Sequence, residues 1–88
     1  MYYQIRFLVA ASRSFEKLDN SVARKISEKL NWLAENVEGA RHVGLRNVLA
    51  GQSKLRVGDY RLVYKVFPDE KTIVVRYIEH RSKIYKNE

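Results

Sequence analysis

Apolar and polar positions alternate at the start of the chain, with Tyr3, Ile5, Phe7 and Val9 on one side and Gln4 and Arg6 on the other. A period of two marks a half-buried strand, so Tyr2 to Val9 is predicted as the first β-element. The period then lengthens: Ala11, Phe15 and Leu18 recur at helical spacing and predict a short helix over Ala10 to Leu18. Asp19-Asn20-Ser21 is a cluster of N-cap and turn formers. From there Val22, Ile26, Leu30, Leu33 and Val37 form a stripe that predicts an amphipathic helix, with Arg24, Lys25 and Glu28 opposite and Gly39 as its stop. Ala40 to Gln52 has no regular period, and Gly44 and Gly51 predict an extended or looped crossing.

Three strands follow in quick succession, Ser53 to Val57, Tyr60 to Phe67 and Thr72 to Ile78, with Pro68-Asp69-Glu70-Lys71 as the second turn. Gly58-Asp59 is a two-residue, glycine-first loop of the type II′ kind. It pairs Val57 with Tyr60, Arg56 with Arg61, Leu55 with Leu62 and Lys54 with Val63. Side chains alternate faces along a strand, so Lys54, Arg56 and Arg61 emerge together. Like charges directly opposite one another cost roughly 0.2–1 kcal/mol, which points to an anion, and to phosphate first, as the intended occupant. The order β-α-α-β-β-β predicts an α+β domain spanning residues 1–88, with two N-terminal helices packed on one face of a small, mainly antiparallel sheet. The other face is left polar.

Charge sharpens that picture. The net charge is +7, and residues 1–40 contribute little of it. Arg41, Arg46, Lys54, Arg56, Arg61 and Lys65 stand against Asp59 alone, and Arg76, Arg81, Lys83 and Lys86 against Glu79 alone. A field so concentrated in the second half suits a polyanion, either nucleic acid or an acidic protein segment. With no Cys and 2 His, disulfides, thiolate metal sites and a structural zinc are not expected. Met1 to Ala11 is too short and too interrupted to span a bilayer, so a cytoplasmic protein without membrane attachment is expected.

No glycine-rich phosphate loop, no Gly-x-Ser-x-Gly and no Ser-His-acid set is present, and the acids sit mainly on predicted helix surfaces. What remains is Lys54, Arg56, Arg61, Arg76, Arg81 and Lys83 interleaved with Tyr60, Tyr64, Tyr77 and Tyr85. Guanidinium on phosphate with aromatic rings under bases is the usual arrangement for single-stranded RNA, although Tyr60, Tyr64, Tyr77 and Trp32 also read as packing residues. His42 has no readable role.

Leu55 to Tyr64, with the pattern R-x-G-x-Y-R-x-x-Y, and His80-Arg81-Ser82-Lys83-Ile84-Tyr85, with H-R-x-x-x-Y, resemble the RelE toxin family of the RelE/ParE superfamily. Phe15 to Leu18 and the second helix also fit. The resemblance implies the toxin of a type II toxin–antitoxin pair, a cytoplasmic endoribonuclease that enters the ribosomal A site and cuts mRNA without metal or cofactor. The ribose 2′-hydroxyl would attack the adjacent phosphorus. A RelB-like antitoxin would neutralise it by wrapping around the domain, and operator DNA would be reached only through that complex.

Carried over by motif, Lys54 is the base, Arg61 the phosphate clamp, Arg81 the acid or second clamp, and Tyr85 the group that positions or stacks on the base. His80 is a secondary acid–base candidate, and Arg46, Arg56, Arg76 and Lys83 are candidate RNA contacts. A lysine acts as a base only when uncharged, a form that crowding by cations favours. An arginine stays protonated and is better suited to electrostatic work. Gln52 stands where some family members carry a further cation. The alternative is a ParE-like gyrase inhibitor that does not cut RNA, and a third possibility is a degenerate member that only represses its own operon.

Overall fold

The fold is seen in a computed structural model that describes residues 2–39, 42–44 and 51–82. Its elements are β1 (Gln4–Phe7), α1 (Val9–Glu16), α2 (Asn20–Glu35), β2 (Val43–Gly44), β3 (Ser53–Val57), β4 (Tyr60–Phe67) and β5 (Thr72–His80). A single 3-10 turn, Pro68–Glu70, joins β4 to β5. The strand order is β1-β5-β4-β3-β2. β1 lies parallel to β5 and every other pairing is antiparallel, so the sheet is mainly antiparallel, as predicted, with one parallel pair.

The hairpin of β3 and β4 follows the predicted register residue for residue, from Val57 opposite Tyr60 to Lys54 opposite Val63. Gly58 has φ +59°, a conformation that glycine adopts without a Cβ penalty. Asp59 does not share the positive φ, which fits the type II′ turn rather than type I′. The irregular crossing contributes the short strand β2, Val43 opposite Lys54 and Gly44 opposite Ser53.

Element boundaries differ from the predictions where local polar groups intervene. α1 starts at Val9, because Leu8 is extended and spends its N–H on the Val75 carbonyl, 3.0 Å away. α2 stops at Glu35 rather than running to Gly39. Asn36 closes it, its Nδ2 donating to the Trp32 carbonyl at 2.8 Å and its backbone N–H reaching the Leu33 and Trp32 carbonyls. Asp19 caps α2 through its backbone alone, its carbonyl accepting from the Ala23 N–H at 2.9 Å. β5 runs two residues beyond Ile78, to His80.

Both helices cover one face of the sheet. Ala11 of α1 and Ile26, Leu30 and Leu33 of α2 are buried with Leu62, Tyr64, Ile73 and Val75 from β4 and β5. Phe7 and Phe15 meet edge to face at 5.4 Å, tying β1 to α1. Fully burying one such side chain is worth about 1.5–3 kcal/mol, so this layer supplies the stability.

His42, without a readable role in the sequence, fastens the crossing to this core. Its Nε2 lies 2.9 Å from the Val37 carbonyl and its Nδ1 2.6 Å from the Tyr64 hydroxyl. A carbonyl only accepts, so Nε2 carries the proton and Nδ1 accepts from Tyr64. Burial raises the Tyr64 phenol above its ordinary value of 10.0, with a smaller opposing effect from Ser53. Tyr64 is therefore held as the donor this contact needs.

Candidate functional site

The open face is fixed by strand alternation. Gln4 and Arg6 of β1, Lys54 and Arg56 of β3, and Arg61, Val63, Lys65 and Phe67 of β4 point away from the helices. On β5 the alternation is interrupted. Val63 pairs with Tyr77 while Tyr64 pairs with Val75, so Arg76 is the extra residue of a β-bulge. A bulge of this kind turns two consecutive side chains to one side, and Arg76 joins Tyr77 on the open face. Every Lys and Arg of the described strands thereby lies on one surface. Glu79 is the only carboxylate in those strands.

The cations form rungs across neighbouring strands. One rung runs Arg56–Arg61–Glu79, and the next runs Lys54–Val63–Tyr77 with Arg76 beside it. Adjacent strands lie about 4.8 Å apart and successive rungs about 7 Å, so Lys54, Arg56, Arg61 and Arg76 share an area the size of a few phosphates. Val63 sits among them at 1% exposure, outside the main core cluster. Long side chains from both flanking rungs are placed to cover it. The Nε atoms of Arg61 and Arg76 are buried without a partner among the described residues.

Two ion pairs set the geometry of the hairpin end. Arg61 Nη2 meets Glu79 Oε2 at 3.4 Å, and Arg81 Nη1 meets Asp59 Oδ1 at 3.5 Å. The Arg81 N–H also donates to the Asp59 carbonyl at 2.7 Å, which continues the β4–β5 ladder one step beyond His80. Arg61 and Arg81 thus occupy the same end of the sheet, with the partner of Arg61 two residues before Arg81.

His80 is placed differently. It pairs with Tyr60, their rings meeting edge to face at 5.0 Å, and Tyr60 packs against the helix-covered core. The imidazole is therefore on the α1 side of β5, in a groove that it lines with Ser14, Lys17, Leu18 and Tyr60 and also with Tyr77 and Glu79. Its Nδ1 accepts from the Ser82 N–H at 3.2 Å, which leaves the proton of the neutral ring on Nε2.

Of the predicted site residues, the structure brings together Lys54, Arg56, Arg61 and Arg76, puts Arg81 at their margin, and sets His80 on the other side. Arg46, Lys83 and Tyr85 lie outside the described residues. Gln52 is buried at 8% exposure, its Oε1 without a partner among the described residues. Tyr64, at 1% exposure, is a core residue and not a stacking platform. Sequence reasoning missed Arg6, Lys65 and Glu79. Lys65 was findable, since it stands four positions after Arg61 on an unbroken strand and so shares its face. Among the described residues, no group of three His, Asp or Glu is arranged to hold a metal ion, and no helix is long and apolar enough to cross a membrane.

Residues 5–85 match the family described as the ParE toxin of type II toxin–antitoxin system, parDE. The chain belongs to the RelE/ParE family of toxins. Toxin RelG of Mycobacterium tuberculosis is 32% identical over 88 residues, covering 98% of this chain and 99% of the relative. Among solved structures, the RelBE2 toxin–antitoxin complex of Mycobacterium tuberculosis superposes with a TM-score of 0.80 at 29% identity, covering 93% of this chain and 94% of that one. Isolated Escherichia coli RelE gives a TM-score of 0.75 at 25% identity, over 97% of this chain and 93% of that one. The RelE/ParE assignment accounts for the two helices and mixed sheet as a family fold.

Proposed function

We propose that this toxin is a ribosome-dependent mRNA endoribonuclease that cleaves message in the A site. The observation that carries the reading is the Arg56–Arg61 rung: two guanidiniums directly opposite one another, with Lys54 and Arg76 in the next rung and Arg81 at the same end. A phosphodiester going through its pentacoordinate state gains negative charge, and pre-placed cations stabilise that charge more than the ground state. The 2′-oxygen forms a bond to phosphorus, the bond to the 5′-oxygen breaks, and the products are a cyclic 2′,3′-phosphate and a free 5′-hydroxyl. Arg61 clamps the non-bridging oxygens, and Arg81 stabilises the charge on the departing 5′-oxygen, which takes its proton from water. Lys54, exposed beside them, is the group in reach to take the 2′-proton.

The RelE-named relatives support this over the ParE reading, as does the presence of both motif arginines. A cognate RelB-like antitoxin is the expected partner, since a similar toxin was solved in a toxin–antitoxin complex, and the open face offers an acidic segment a large cationic surface. The test is primer extension on message from translating ribosomes supplied with purified toxin. New 5′ ends inside A-site codons are expected. Intact message with accumulating gyrase–DNA breaks would transfer the assignment to gyrase inhibition.

A further inference from the structure

The two basic stretches of the sequence, residues 41–65 and 76–86, contain one carboxylate each, Asp59 and Glu79. The fold spends both on the motif arginines, Glu79 on Arg61 and Asp59 on Arg81. The pairs are not equivalent. Asp59 and Arg81 are more than half exposed, whereas the Arg61 side chain is 20% exposed and Glu79 38%. Water screens the first pair well and the second less. Glu79 is also held in place by register, as the direct cross-strand neighbour of Arg61 on the side away from Arg56.

A carboxylate and a phosphate present the same pair of acceptor oxygens to the fixed fork of a guanidinium. We propose that Glu79 is a positioning residue, an internal stand-in for substrate phosphate that aims Arg61 in the unliganded toxin and must be displaced or shared when RNA arrives. This rests on the ribonuclease reading above. Its carboxylate offsets the repulsion between Arg56 and Arg61 and holds the Arg61 guanidinium on the β5 side of their shared rung. By the same charge it weakens the face for RNA met in solution. Engagement then requires RNA held at high local concentration, which is the condition a ribosome supplies.

Fluorescence anisotropy with a short 2′-O-methyl RNA, which lacks the attacking hydroxyl, measures binding apart from cleavage. Glu79→Gln is expected to bind it about two- to fivefold tighter than wild type, with a log K against log salt slope steeper by about 0.7. Cleavage on translating ribosomes should then show a lower KM together with a lower kcat, and Glu79→Ala, which keeps no acceptor for Arg61, should lose more kcat than Glu79→Gln. In an Arg61→Ala background the effect of Glu79→Gln on affinity should shrink to that of removing one charge, an outcome that a merely structural role for Glu79 would not produce. Unchanged affinity and slope in Glu79→Gln, or an undiminished effect without Arg61, would overturn the inference. Cleavage abolished by Arg61→Ala but indifferent to Glu79→Gln removes this inference alone. Absence of cleavage by wild type removes the ribonuclease reading and this inference with it.

Discussion

On the helix-covered side of the sheet Leu62, Ile73 and Val75 are sealed from solvent, whereas the opposite side carries Arg6, Lys54, Arg56, Arg61, Lys65 and Arg76 against a single carboxylate. The same strands supply both surfaces, and neighbouring residues such as Arg61 and Leu62 belong to different ones. The covered face is held by close packing, where removing a few methylenes leaves a cavity. The open face tolerates like charges in register because Glu79 stands beside Arg61 and solvent screens the more exposed cations. Stability and chemistry are thus separated by one residue step rather than by distance, and substitutions on the two faces should have separable consequences.

The largest effect is expected on the covered side. Leu33→Ala removes a core side chain that is 1% exposed and should cost about 2–5 kcal/mol, read as a lower denaturation midpoint with the slope unchanged. An equally large loss from Lys54→Ala would erase the distinction between the faces.

Tyr64→Phe is a smaller perturbation of the same layer. It leaves His42 Nδ1 without its donor and should cost about 1 kcal/mol in chemical denaturation. It should also change the alkaline limb of stability. Burial raises the folded-state value of Tyr64 above 10.0, so the unfolded chain loses this proton first. The stabilising contribution is complete below the unfolded value and is lost as pH rises through the folded one. Denaturation series at rising alkaline pH should therefore decline less steeply for Tyr64→Phe than for wild type.

Lys65→Ala is the mildest change, on the open face but a rung away from Lys54 and Arg76. Folding should stay within about 0.5 kcal/mol of wild type, while the salt dependence of RNA binding becomes shallower by about 0.7 in log–log slope. An unchanged slope would confine the RNA footprint to the hairpin end.

Much of this division was legible in the sequence. The Gly58-Asp59 loop set the β3–β4 register, and the register alone placed Lys54, Arg56 and Arg61 together. The β4 limits also matched, because turn formers bracket a run of apolar and charged residues with no Gly or Pro inside it. What stayed hidden depends on contacts far apart in sequence. The bulge at Arg76 resets a period of two that local reading extends unbroken, and the pairing of Arg61 with Glu79 follows only once β5 is in register. His42 is explained by a hydroxyl 22 positions away. His80 precedes Arg81 in the motif, but its edge-to-face contact with Tyr60 beside α1 appears only in the folded chain. Gly39 looked like the stop for α2, but the Asn36 side chain ends the helix earlier with its own hydrogen bond.

The account stands on Arg61 acting by its position and not merely by adding to net charge. The most direct measurement compares message cleavage on translating ribosomes by wild type, Arg61→Ala and Arg24→Ala, the last removing the same charge from the exposed surface of α2. Arg61→Ala is expected to lose about 10²–10³-fold in rate while its denaturation midpoint stays near that of wild type, and Arg24→Ala should cleave at close to the wild-type rate. Equal rates for the two variants would contradict the central claim.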